Sequence, residues 1–126
     1  MKVESVEEGL KRLCEIWNNV CGALVSSAGE ELSRFTFLNK KFNCEIEGGD
    51  CFVLTIRPDG AELKKGRDEL AHATIRMHEK DWLSVLSGEY SLWSVMIAGR
   101  LAPTLRESQI IIPLGFLVQA LAHMGE

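Results

Sequence analysis

An α+β fold is predicted by the order of segments along the 126-residue chain. Strands gather in the middle and helices follow in blocks, rather than alternating one for one as a parallel α/β sheet requires. Three observations carry this expectation. Residues 3–25 repeat apolar side chains at helical spacing. Residues 42–64 form a run of short alternating segments broken by two turn signals. Residues 73–101 read as strand, helix, helix, strand, with Gly88 and Gly99 each ending a helix. Five strands result, most of them antiparallel.

The first helix rests on Leu10, Leu13, Ile16, Trp17, Val20 and Leu24, which share one face, while Glu7, Glu8, Lys11, Arg12, Glu15 and Asn18 hold the other. Ser5, with Glu8 three residues on, suits a capping box at its start. Trp17 is read as core. A weaker box, Ser27 with Glu30, precedes a short helix or turn over residues 30–33.

Phe42 to Glu47 alternates apolar and polar residues, as Phe52 to Arg57 does in part, and Gly48-Gly49-Asp50 between them signals a hairpin. A three-residue loop would pair Ile46 with Phe52, Cys44 with Leu54 and Phe42 with Ile56, gathering the apolar side chains on one face. A two-residue loop would oppose Phe52 to Glu45. A one-residue slip inverts a strand's faces, so burial favours the former. Cys44 and Cys51 then lie on opposite faces and do not pair. Arg57-Pro58-Asp59-Gly60 has the residues of a tight turn, proline presetting its first central position, and residues 61–64 fold back as a third strand.

Ala73-Thr74-Ile75-Arg76-Met77 is a half-buried strand by its alternation. Glu79 and Asp81 lead a two-turn helix carrying Trp82, Val85 and Leu86, where acids complement the helix dipole. Residues 91–98 form a second short helix, and a strand follows Gly99. The last helix, residues 109–124, starts near Pro113 and is apolar nearly all round, whereas a surface helix shows a polar face. It calls for cover by the core, a ligand, a second chain or a membrane surface.

Composition narrows the function classes. The net charge is −4 with no basic stripe, which argues against nucleic acid. The longest apolar run, residues 110–118, is shorter than the ~20 residues of a membrane span, and the acidic first residues do not form an export signal. A cytoplasmic location is expected, with free thiols. Cys14 and Cys21 are seven residues apart on a helix, separated by ~10 Å of rise, too far for a bridge. His72 and His78 stand ~20 Å apart along one strand. No nucleophile motif or metal-ligand spacing is present, so no catalytic residue, metal or cofactor is assigned.

With these elements placed, the pattern from 42 to 105 resembles the sterol carrier protein type 2 domain. The Ala73–Met77 strand, the aromatic Trp82 and the apolar run ending at Ser87-Gly88 look like that family's central strand and helix. Ala98-Gly99-Arg100-Leu101 stands where the family has a short helix ending in Gly-Lys-Leu. The hairpin and its Pro58-Asp59-Gly60 turn match the family's first strands in order and length. The family's second glycine is absent, with Leu105-Arg106-Glu107-Ser108 in its place.

The resemblance implies one domain over residues 1–126: a helical N-terminus (1–33), the sheet with its central helices (42–105) and the apolar C-terminal helix (109–124). It further implies a five-stranded sheet covered by helices, enclosing an apolar tunnel for a fatty acyl, isoprenoid or sterol-like lipid, without catalysis. Trp82, Leu83, Leu86, Trp93, Met96 and Ile97 are then candidates for one wall of that tunnel. Leu114, Leu117, Val118 and Leu121 are candidates for the other. The same side chains would equally fill an ordinary core. The protein would act as carrier or as helper of a lipid-using enzyme. The alternative is a dimerisation or accessory module whose last helix packs on a partner chain.

Overall fold

The computed structural model describes residues 3–29 and 35–124. Four helices and four strands are found among them: α1 (Val6–Ala28), β1 (Lys40–Ile46), β2 (Cys51–Arg57), β3 (Gly60–Lys65), β4 (Ala73–Met77), α2 (Glu79–Leu86), α3 (Leu92–Ile97) and α4 (Leu105–Met124). The α+β class holds. The expected turn over residues 30–33 and its Ser27–Glu30 capping box fall largely outside the described residues.

Ser5 caps α1, its side chain accepting from the Glu8 amide at 3.1 Å. Val6, Leu10, Leu13, Cys14, Trp17 and Cys21 are buried along one face. Side-chain hydrogen bonds of Trp17 and Asn18 dock this helix on the β2–β3 hairpin. Trp17 Nε1 donates to the Arg57 carbonyl at 2.9 Å, and the Ala61 amide donates to Asn18 Oδ1 at 2.7 Å.

The sheet order is β3-β2-β1-β4, with β1, β2 and β3 an antiparallel meander. Phe42, Cys44, Phe52, Leu54, Ile56, Ala73, Ile75 and Met77 are all buried, and their alternation puts them on the face that the helices cover. The faces of the first hairpin are therefore as expected, and Cys44 and Cys51 are both free thiols. The register differs. Cys44 pairs with Phe52, Phe42 with Leu54 and Lys40 with Ile56, two residues from the expected partners. A two-residue shift leaves every face unchanged, so burial cannot distinguish the alternatives. The turn decides. Ile46 N donates to the Asp50 carbonyl and Gly49 N to that of Ile46, so the three loop residues are Glu47, Gly48 and Gly49. The Glu47 amide is then released to the Met77 carbonyl, at 2.8 Å.

Strand β4 runs parallel to β1, so the sheet is mixed. Its placement follows from the link between β3 and β4, which must travel from one edge of the sheet to the other. Asn43, on the opposite face from Phe42 and only 2% exposed, holds that link. Its Nδ2 donates to the Asp68 carbonyl at 2.9 Å, and its Oδ1 accepts from the Asp68 amide at 3.0 Å.

Helices α2 and α3 end where the glycines forecast, with Gly88 at φ 87° and Gly99 at φ 77°, conformations that suit a residue without a Cβ. Arg100 then turns back, its Nε 3.1 Å from both carboxylate oxygens of the buried Asp81. No strand forms over residues 100–104, a correction to the five-stranded sheet. Thr104 instead opens α4 with a reciprocal capping box. The Glu107 amide donates to Thr104 Oγ1 at 3.3 Å, and the Thr104 amide to Glu107 Oε2 at 3.4 Å. The helix thus begins at Leu105, before the expected residue 109.

Pro113 consequently lies inside α4. A proline cannot donate to the carbonyl four residues back. That carbonyl belongs to Gln109, and the Thr36 hydroxyl donates to it at 2.6 Å. The defect in the helix becomes the attachment point of the segment before β1. Farther on, a Cβ on Gly115 would sit 2.9 Å from Leu92 Cβ, so the missing side chain lets α3 and α4 approach closely.

Candidate functional site

The apolar faces of α1, α4 and residues 35–37 converge on one cleft of about 420 Å³. From α1 come Trp17 and Leu24. Phe35 and Phe37 form the second wall, and Pro113, Phe116, Leu117 and Ala120 of α4 form the third. The aromatic side chains brace one another. Phe35 stacks on Phe37 with centroids 5.7 Å apart, and Trp17 meets Phe37 edge-on at 6.4 Å. The Thr36–Gln109 bond ties the second wall to the third.

No titratable group lines this cleft, and its one polar side-chain atom, Trp17 Nε1, is already committed to Arg57. Such walls can select by apolar area and shape alone. The volume lies within the range of about 300–1,000 Å³ usual for small-molecule sites. Beyond Trp17 and Leu117 the apolar space continues only as a void of about 10 Å³, lined also by Leu13, Cys14, Leu54, Ile56, Ala61 and Leu121. Burial there pushes the Cys14 thiol up to about 11, so it is neutral.

The ten side chains singled out from sequence are dispersed. Trp82, Leu86, Leu114 and Leu121 are buried to 3% exposure or less, and Val118 is buried as well. Trp82 Nε1 donates to the Glu45 carbonyl at 2.9 Å, pinning α2 to β1. Leu83 is half-buried beside a depression of about 820 Å³ that it shares with Val3, Glu79, Lys80, Ser84, Ser87 and Glu89. On α3, Met96 is half-buried while Trp93 and Ile97 are exposed. Leu117 lines the apolar cleft, and Leu117 and Leu121 both reach the small void.

The cleft's other walls did not stand out in the sequence. Trp17 was legible only as core. Phe35 and Phe37 lie in a turn before β1, where no periodicity marks them, although two phenylalanines spaced by one residue were a usable signal. Phe116 was hidden in a helix apolar on every side.

No protein-family model matches the chain, and no curated protein matches it by sequence. Solved structures do match its fold. A crystal structure of sterol carrier protein 2 superposes with a TM-score of 0.55 at 17% identity, over 90% of this chain and 93% of that one. A UbiJ-SCP2 ubiquinone synthesis protein gives 0.56 at 15% identity, over 72% and 73%. A Thermus thermophilus protein described as possibly a sterol carrier protein gives 0.53 at 17% identity, over 97% and 92%. The chain has the sterol carrier protein 2 fold.

Proposed function

We propose that this protein binds a single-chain apolar lipid, fatty acyl or isoprenoid, in the cleft between α1, residues 35–37 and α4. The observation that carries the reading is the wholly apolar lining of a cleft of about 420 Å³ in a chain with this fold. Burying a methylene stabilises a complex by about 0.8 kcal/mol, roughly fourfold in affinity. A homologous series of ligands therefore tightens fourfold per methylene until the cleft is full and then levels off. No acid, base or nucleophile faces the cleft, so the protein acts as a binding module, carrying a lipid or presenting it to an enzyme. The likeness to a protein named for ubiquinone synthesis supports the helper role with an isoprenoid ligand.

A second reading is favoured by the exposure of Phe116 and Leu24 at the cleft's mouth. In it a partner chain lies over α4 and covers the same apolar walls. Native mass spectrometry and organic extraction of freshly purified protein test the choice. Co-purifying lipid on a monomer supports the first reading. Empty dimers indifferent to added fatty acid would support the second and overturn the first.

A further inference from the structure

Beside the apolar cleft lies a recess of different character, of about 460 Å³, and Phe35 lines both. Thr36, Leu38, Asn39 and Lys40 line it from the segment that leads into β1, together with Pro58 and with Gln109 and Ile110 of α4. Recess and cleft succeed one another along one face of α4, because Gln109, Pro113, Phe116 or Leu117, and Ala120 recur at single-turn intervals. At 1.5 Å per residue, this strip runs for roughly 16 Å. An apolar chain in the cleft has its free end directed along α4 toward the recess or away from it.

The recess carries a positive charge and no negative one. No aspartate or glutamate lines it, and Lys40 makes no ion pair among the described residues. Its neighbour Lys41 pairs with Asp68, Lys65 with Asp50 and Lys11 with Glu7. The acid next along from Pro58, Asp59, approaches Arg57, which also meets Glu62. Asn39 adds an exposed amide at φ 60°, at the point where the chain turns into β1. In the depression on α2, by contrast, Lys80 is accompanied by Glu79 and Glu89.

We infer that this recess receives the anionic headgroup of the lipid whose chain occupies the cleft, with Lys40 supplying the countercharge. The inference rests on the cleft reading and narrows its ligand class from any apolar chain to a single-chain amphiphile with a carboxylate or phosphate end. The cleft walls cannot discriminate headgroups, so the whole preference falls on the recess.

The test compares dodecanoate with 1-dodecanol at pH 8 and low salt, by native mass spectrometry and by displacement of a fluorescent fatty-acid probe. Wild type is expected to prefer dodecanoate by about fivefold, the upper range for a solvent-accessible ion pair. The preference should shrink with added salt. K40M should abolish it, and K40R should retain it. Because Lys40 opens a strand, thermal melts of both variants accompany the binding data. Equal affinity of wild type for both ligands, or a preference that survives in folded K40M, would overturn the inference and leave the cleft reading intact. Binding of neither ligand would overturn both.

Discussion

Thr36→Val tests whether the hydroxyl stands in for the amide that Pro113 lacks. The bond to the Gln109 carbonyl is short, at 2.6 Å, but both residues are exposed, so water can replace the lost donor. The cost should lie near the lower end for a hydrogen bond, about 0.5–1 kcal/mol. With about 2.1 cal/mol/K per residue of unfolding entropy over the chain, that lowers Tm by roughly 2–4 °C. Pro113→Ala restores an N–H to the Gln109 carbonyl and removes the interior proline. It should stabilise α4, where the intrinsic propensity difference of about 3 kcal/mol sets the upper bound. The informative quantity is the coupling. In the Pro113→Ala background the carbonyl already has a helical donor, so Thr36→Val should cost less than half of what it costs alone. Chemical denaturation of the four proteins closes the cycle. An equal cost in both backgrounds would refute the substitution of one donor for the other. Thr36 would then be an ordinary loop residue.

Three further outcomes are expected. Ala120→Trp projects an indole into the cleft from its exposed rim. It should weaken fatty-acid binding more than tenfold with little change in Tm; unchanged affinity would place the ligand elsewhere. Thiol alkylation at pH 8 should reach Cys51 first, since it is half-buried, whereas burial holds Cys14 up to about 11 and raises Cys44 further. Peptide mapping that finds Cys44 labelled as early as Cys51 in folded protein would contradict the packing of β1. Asp68 accepts from the Leu70 amide at 2.8 Å, and this bond, with Lys41 nearby, lowers its pKa. A carboxyl depressed in the folded state contributes stability above its unfolded pKa and loses it as pH falls through the folded value. Protection of the Leu70 amide should therefore fall below about pH 4 in wild type. In Asp68→Asn it should show no such step.

The limits of the sequence reading have physical causes that differ from element to element. The helix-period pattern of α1 and the alternation of β4 are local, and their bounds were legible to within a few residues. Strand register is not local in that sense. Burial fixed the parity of the first hairpin, but the choice among registers two residues apart belonged to the Glu47 amide, which is drawn to β4. Asn43 is polar on an alternating strand, a pattern that by itself points to the solvent side. It is buried, and its amide steers the link that makes β4 parallel to β1. The start of α4 was legible in Thr104-Leu105-Arg106-Glu107, a capping-box pattern that an expected strand after Gly99 obscured. Trp82 and Trp93 drew attention as aromatic residues on helices near glycines, yet one is pinned in the core and the other faces solvent. The cleft depends on three segments distant in sequence meeting at Phe37, and no single stretch of chain records that meeting.

The central claim is that an apolar chain lies between α1, residues 35–37 and α4. Intermolecular NOEs between unlabelled dodecanoate and isotopically labelled protein test it most directly. Contacts from the ligand's methylenes to Trp17, Phe37, Phe116 and Leu117 are predicted. Contacts confined to Trp93 and Ile97 on α3, or saturable binding with none to the cleft, would contradict it.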